Sequence, residues 1–226
     1  MRMSPYRAGV WQTHRPLLLL IGAMTVFYIL QLIFGRDAYL PFMAVPTEIV
    51  ESVQGVQEGD VTASSLWGLV TLFTCTVLHG SPEHLLFNMI FFWMFAALAL
   101  DLLGARWMFI IFFVTGVCGS ICHVMLNSGD SIPMLGASGA LMGFEGAYLA
   151  MAFRWRLPDP HVWPISRPVP PARLAIFALV SVAGDYLGIS DQAGSNIAYG
   201  AHIGGFIAGV ALAGFVAPRP KGAHPK

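Results

Sequence analysis

Six long apolar stretches dominate this sequence and leave few folds open to it. A helix that crosses a bilayer needs about 20 mostly apolar residues, and six stretches meet or approach that length. They predict six transmembrane helices, over residues 17–34, 84–103, 106–127, 138–153, 172–189 and 196–217. The expected fold is an all-α polytopic membrane protein, with a six-helix membrane domain over residues 17–217.

The composition agrees with a membrane protein and excludes other classes. Charged residues make up 11% of the chain and hydrophobic residues 56%, whereas about a quarter of a soluble domain is charged. The formal net charge is zero. No basic surplus exists to bind phosphate groups, so we expect no nucleic-acid partner. The three cysteines are too few for a disulfide scaffold and are predicted to be small core residues.

A seventh apolar run, residues 66–78, is too short to cross the membrane. Its 13 residues suit an interfacial or re-entrant segment, for which about 10–14 residues is typical. It lies in the connection 35–81, which is longer than a simple loop. We expect this first loop to fold partly into the membrane surface. No small-residue cleavage site closely follows the first stretch, so we expect that helix to be retained.

The basic residues predict the orientation of the bundle. In a six-helix arrangement eleven of the twelve fall on one side and only Arg36 falls on the other. The positive-inside rule places the richer side in the cytoplasm. We therefore expect residues 1–16 to form a cytoplasmic N-terminal segment and residues 218–226 a disordered cytoplasmic tail. The eleven residues are Arg2, Arg7, Arg15, Arg106, Arg154, Arg156, Arg167, Arg173, Arg219, Lys221 and Lys226.

Polar residues inside membrane helices are costly and mark functional sites by default. Short polar clusters begin the second, fourth and sixth predicted helices, and all three of these helices run from the outer to the inner face. The clusters therefore share one depth, within roughly 10 Å of the outer edge. Their chemically useful residues are His84 and Asn88, Ser138, and His202.

A serine and a histidine at one depth can form a nucleophilic pair. The imidazole removes the hydroxyl proton and returns it to the leaving group. Taken alone, Ser138 could be only a helix cap and His202 an interior histidine, but their common depth favours a functional pair. Small residues spaced four apart let helices pack closely. Such pairs occur in the fourth and sixth helices: Gly139 and Gly143, Gly200 and Gly204, and Gly205 and Gly209.

Hydrogen-bond donors for an oxyanion lie beside the same pair. Ser138 begins a predicted helix, where unpaired backbone N–H groups and the positive end of the helix dipole are found. His84 and Asn88 are four residues apart, hence on one helix face, and could add side-chain donors. The nucleophile-elbow pattern G-x-S-x-G is not met, because Ala140 stands two residues after the serine.

The sequence resembles the rhomboid family of intramembrane serine proteases. The resemblance rests on HGSPEHLLFN over 79–88, GASG over 136–139 and AHIGG over 201–205, in family order. It implies a six-helix rhomboid-like bundle and peptide hydrolysis by a Ser–His dyad. Ser138 matches the nucleophile and His202 the general base. The resemblance further implies oxyanion donors at His84, Asn88 and the Ser138 backbone, with Gly136 adjacent, and structural support from His79 and Gly139.

Two departures from the family pattern concern packing. Trp67 is followed by Gly68 rather than by arginine, which bears on how the first loop packs. Met142 stands four residues after the serine, where the family commonly has an aromatic residue that stacks on the base histidine. Its thioether could make a sulfur–aromatic contact instead. Glu145, two turns deeper on the same helix face, is not assigned a role.

The resemblance also implies the setting. We expect transmembrane protein substrates, a lipid bilayer environment and no cofactor or metal, in a bacterial inner membrane with the active site opening to the outer face. The oligomeric state stays open. Two alternatives remain. One is a metal-dependent hydrolase using His79, His84 and His202, although the spacing of His79 and His84 matches neither H-E-x-x-H nor H-x-x-E-H. The other is a catalytically inactive rhomboid-like binder of membrane helices.

Overall fold

The computed structural model describes residues 14–159, 170–174, 176, 177, 179, 180, 183 and 198–226. Eight α-helices lie wholly within these residues and follow one another along the chain. They are α1 (Arg15–Phe34), α2 (Arg36–Tyr39), α3 (Pro46–Glu58), α4 (Ala63–Thr74), α5 (Pro82–Leu103), α6 (Ala105–Leu126), α7 (Ser138–Arg154) and α8 (Tyr199–Ala211). Two strands, β1 (Trp155–Arg156) and β2 (His224–Pro225), form a small antiparallel sheet.

Four helices in the described part of the chain are long and apolar enough to cross a membrane. They are α1, α5, α6 and the helix Tyr199–Val216, in which α8 continues into a π-helical turn. They overlap the first, second, third and sixth predicted spans. The fourth predicted span corresponds to α7, which has 17 residues. Most of the fifth, 172–189, lies outside the described residues, and its described positions up to 180 are helical. The count of six therefore stays a prediction.

Local sequence signals explain where the helices begin and end. Helix α5 begins at Pro82, whose missing N–H costs nothing at that position, and the Ser81 hydroxyl accepts a hydrogen bond from the His84 N–H at 3.1 Å. It ends at Leu103, and the next residue, Gly104, has a φ of 88°, which glycine adopts without strain. In α4, Thr62 and Ser65 form a reciprocal capping box.

The first connection, 35–81, folds into helices α2, α3 and α4 with 3₁₀ turns. The Trp67 indole N–H donates to the Pro41 carbonyl at 2.9 Å, which joins α4 to the start of the connection. A β-bridge between Ala44 and Met134, with hydrogen bonds of 3.1 and 2.8 Å, ties the same connection to the loop before α7. This first loop is thus ordered, and backbone hydrogen bonds connect it to the loop that precedes Ser138. Its depth in a bilayer stays a prediction.

Helix α7 is the centre of the bundle. Every residue from Gly139 to Met151 is buried, because α5, α6 and α8 surround the helix. Its contact with α8 is made through glycines: a side chain at Gly205 would collide with the Gly139 carbonyl, and one at Gly209 with the Gly143 carbonyl. The helices therefore touch through main-chain atoms.

The glycines of α8 serve two neighbours rather than one. Gly200 lies against His123, and Gly204 lies against Cys122, both on α6. The four-residue glycine spacing predicted one close contact between helices, but α8 makes two. Gly204 faces α6, and Gly205, one position further along the helix, faces α7.

The expectation of a disordered C-terminal tail is wrong. Residues of β2 pair with β1, with Trp155 opposite Pro225 and Arg156 opposite His224. The Lys221 N–H also donates to the Leu102 carbonyl at 2.8 Å, at the end of α5. The polar composition predicted disorder, but backbone pairing and burial of Ala223 order the segment.

Candidate active site

Ser138 and His202 are in direct contact. The serine is the first residue of α7, the histidine lies in the first turn of α8, and His202 Nε2 is 2.8 Å from Ser138 Oγ. The packing beside it is close, because a Cβ atom at Gly139 would lie 3.1 Å from the Ala201 carbonyl oxygen. A glycine after the serine thus lets α8 approach without crowding.

The loop before Ser138 has a conformation that requires glycine. Gly136 has a φ of 134°, and its N–H donates to the Cys75 carbonyl at 2.9 Å. A side chain there would lie 2.8 Å from His84 Cε1, 2.9 Å from His84 Nε2 and 3.7 Å from Ser138 Oγ. The space above Gly136 is therefore bounded by the imidazole on one side and by the hydroxyl on the other.

His84 presents one particular nitrogen to this space. The Gly80 N–H donates to His84 Nδ1 at 3.4 Å, so Nδ1 is an acceptor and the proton of the neutral ring resides on Nε2. That Nε2–H is the atom beside Gly136. One turn further along α5, Asn88 is buried, and its side-chain nitrogen has no hydrogen-bond partner within the described part of the chain. Two side-chain donors are thus available on one helix face.

His79 lies behind His84 rather than beside the serine. Its ring centroid is 5.3 Å from that of His84, and its side chain is 1% exposed. Burial, with a smaller contribution from His84, lowers the pKa of His79 to about 4, so the ring is neutral at pH 7. Its backbone is held by Gln31 of α1, which donates to the His79 carbonyl and accepts from the His79 N–H, both at 3.0 Å.

Gln31 and Tyr199 are two residues that sequence reasoning missed. Gln31 is a buried amide in an otherwise apolar span, and that polarity was the available signal. Tyr199 makes an edge-to-face contact with His202, with ring centroids 6.2 Å apart. Their three-residue spacing on one helix could have indicated it. Met142, whose thioether could contact the base histidine, is buried in α7, and that contact stays a prediction.

A cavity of about 440 Å³ opens beside the site. His84, His123, Asp130, Leu135 and Ala198 are among the residues that line it. A second space of about 20 Å³ borders Ser138, Gly136 and Cys75, and a space above about 10–15 Å³ can hold one water molecule. The Ser138 hydroxyl therefore borders a space large enough for one water molecule, and the His84 side chain borders the larger cavity.

The site residues fall inside a segment with recognisable relatives. The family model of the Rhomboid domain matches residues 65–219. The chain belongs to the rhomboid family. The matched segment contains Ser138, His202 and every other predicted site residue, whereas α1 and most of the first loop precede it. With its long apolar helices, this rhomboid is an integral membrane protein.

Two relatives from Bacillus subtilis (strain 168) share part of their sequence with this rhomboid. Rhomboid protease GluP is 32% identical over 98 residues, which cover 43% of this chain and 18% of the relative. A second protein, YdcA, named provisionally as a rhomboid protease, is 31% identical over 114 residues, or 49% of this chain and 55% of the relative. The alignments thus span about half or less of these relatives.

Proposed function

We propose that this rhomboid is an intramembrane serine endopeptidase that hydrolyses peptide bonds in or near the transmembrane segments of other membrane proteins. The observation that carries the proposal is the 2.8 Å separation of Ser138 Oγ and His202 Nε2. A hydroxyl and an imidazole at this distance form the smallest unit able to generate a serine nucleophile. Membership of a family with protease relatives supports the same reaction class.

The proposed reaction has two steps. With its proton on Nδ1, His202 takes the Ser138 proton at Nε2 while Oγ bonds to the substrate carbonyl carbon. The tetrahedral intermediate breaks its C–N bond, His202 gives the proton to the departing amine, and an acyl-enzyme ester remains. His202 then takes a proton from a water molecule as the water oxygen bonds to the ester carbon. The ester C–O bond breaks, His202 returns the proton to Ser138 Oγ, and the carboxylic acid product leaves. No cofactor or metal takes part.

The negative oxygen of each intermediate would be stabilised by three donors. The Ser138 N–H is at the first turn of α7, where helix geometry leaves it without an intrahelical partner. The His84 Nε2–H adjoins Gly136, and the Asn88 side-chain nitrogen is buried without a hydrogen-bond partner among the described residues. Donors held in place before reaction act without reorganisation, which makes them effective in a water-poor site.

The location of the site fits hydrolysis at one membrane surface. Ser138 and His202 lie at the beginning of their helices. The distribution of basic residues favours cytoplasmic termini and a site open to the outer face of a bacterial cell membrane. Water would enter through the cavity beside His84, and a substrate helix would need to unwind locally to present a carbonyl carbon.

Labelling with a fluorophosphonate tests the proposal most directly. We expect the wild-type chain in detergent or proteoliposomes to be labelled and to cleave a single-span substrate. Ser138→Ala and His202→Ala should lose both activities while retaining the wild-type unfolding temperature. Ser64→Ala, which removes an exposed hydroxyl in α4, is the matched control and should retain both.

Three outcomes would overturn the proposal. Full cleavage by Ser138→Ala would exclude the dyad. Loss of wild-type cleavage in a chelator, restored by a divalent metal, would favour a metal-dependent hydrolase. Capture of several membrane substrates by the wild-type chain without labelling or turnover would identify a non-catalytic binder.

A further inference from the structure

The end of the molecule opposite the dyad carries an ordered group of cations around one aromatic ring. The Arg154 guanidinium lies 5.1 Å from the centre of the Trp155 ring, and that of Arg219 lies 5.6 Å from it. Arg154 also donates to the Gly214 carbonyl at 2.8 Å, and Arg219 donates to the Ala223 carbonyl. These hydrogen bonds and the β1–β2 pairing hold the cations in place, so they are not loose surface charges.

An apolar groove of about 390 Å³ adjoins this group. Its walls come from the end of α7 and from the helical segment that begins at residue 171, and they include Phe153, Leu157, Ile176 and Leu179. The volume lies within the range of about 300–1,000 Å³ that is usual for sites that bind small molecules. Ile176 is 59% exposed, so this wall of the groove is accessible from outside the protein.

Two further cations stand at the mouth of the groove. Arg156 and Lys226 line it, and the Lys226 ammonium is 5.9 Å from the centre of the Phe153 ring. Both are exposed. No acidic residue in the described part of the chain lines the groove, and Arg156 and Lys226 give its rim a positive charge. An apolar groove with a cationic rim is complementary to a ligand that has an apolar chain and an anionic head.

We propose that this groove is a binding site for an anionic phospholipid, with an acyl chain along Leu157, Ile176 and Leu179 and the phosphate group at Arg156 and Lys226, the two cations that line it. The positive-inside rule predicts that this end of the bundle faces the cytoplasm, and basic pockets between membrane helices on that side suit anionic headgroups. Trp155 has the amphipathic ring that is enriched at the level of lipid headgroups. The proposal does not depend on proteolysis.

Native mass spectrometry of the full chain in detergent measures the proposed binding. The probes are palmitoyl-oleoyl phosphatidylglycerol, phosphatidylcholine with the same acyl chains, and inorganic phosphate. We expect phosphatidylglycerol to be retained in preference to phosphatidylcholine. The double variant Arg156→Gln/Lys226→Gln should bind phosphatidylglycerol about tenfold more weakly, because each cation near an anionic headgroup contributes to binding. Ile176→Trp, which fills the groove without changing charge, should also weaken retention.

Arg106→Gln is the matched control, because Arg106 is exposed and is predicted to face the same side of the membrane without lining the groove. It should bind like the wild type. Equal retention of the two lipids, or equal loss in the control and the double variant, would overturn the proposal. Displacement of phosphatidylglycerol by inorganic phosphate would show that the site takes a free anion rather than a lipid. Unfolding temperatures of all variants separate lost binding from lost folding.

Discussion

The side chain of Gln31 and the backbone of His79 are joined at two points, although 48 residues separate them in sequence. The amide nitrogen donates to the His79 carbonyl and the amide oxygen accepts from the His79 N–H, each at 3.0 Å. Both partners are buried. A helix that contributes no group to the dyad thus positions the segment that leads to His84.

Replacing Gln31 by methionine should therefore destabilise the fold and reduce labelling of Ser138. The variant keeps the side-chain volume but leaves a buried N–H and a buried carbonyl without partners, which costs about 1–3 kcal/mol for each group. Thermal unfolding and fluorophosphonate labelling measure the two effects. Gln57→Met, at an exposed position of α3, should change neither. Wild-type stability of Gln31→Met would show that the two hydrogen bonds contribute little.

Gly136→Ala should abolish most activity with a smaller effect on folding. The new methyl group would lie 2.8 Å from His84 Cε1 at a φ of 134°, so it displaces a proposed oxyanion donor. Loss of one such donor lowers kcat by about 10²–10³-fold. The same substitution at Gly129, in the same loop with no atom near the added group, is the control. Normal turnover by Gly136→Ala would mean that His84 does not need its present position.

Gly205→Ala should separate the two central helices. A methyl group there collides with the Gly139 carbonyl, and main-chain atoms cannot move aside as a side chain can. We expect overpacking to cost about 1–3 kcal/mol and labelling of Ser138 to fall with it. Gly22→Ala in α1, where the added group meets no atom within 4 Å, should keep wild-type stability in the same unfolding measurement.

His79 should make stability depend on pH in the acidic range. Its pKa is about 4 in the folded chain and about 6.5 in an unfolded one, so the unfolded chain binds more protons between these values. Stability should therefore fall as the pH is lowered from 6.5 towards 4, by at most about 3 kcal/mol from this residue. Unfolding temperatures of wild type and His79→Asn across this range give the comparison. Parallel curves would contradict the assignment to His79.

Sequence reasoning worked best where polar residues interrupt apolar helices. Ser138 and His202 stand out because polarity is costly in a span, and their proximity followed from the glycines of α7 and α8. The same reasoning did not indicate that Gly204 faces α6 while Gly205 faces α7, because a one-residue offset on a helix is decided by tertiary packing. Sequence reasoning also did not predict the ordered C-terminal tail, because amino-acid composition does not indicate that the backbone of β2 pairs with β1.

The first loop illustrates a second limit. Its length and its apolar run predicted more than a simple connection, and the run corresponds to α4. The bridge between Ala44 and Met134 could not be read from the sequence, because neither residue type signals a long-range backbone pair. Such pairs are set by where the surrounding helices place the chain.

The contact between Gly205 and the Gly139 carbonyl bears on how the site responds to its surroundings. Because this contact is made by main-chain atoms, the distance between the two helix backbones does not depend on a side-chain conformation. The spacing of Ser138 and His202 should thus be insensitive to bilayer thickness and fluidity, which act on the lipid-facing side of the bundle. A change in membrane composition would then affect how substrates reach the site and unwind. The distance between the Ser138 hydroxyl and the His202 imidazole would stay the same.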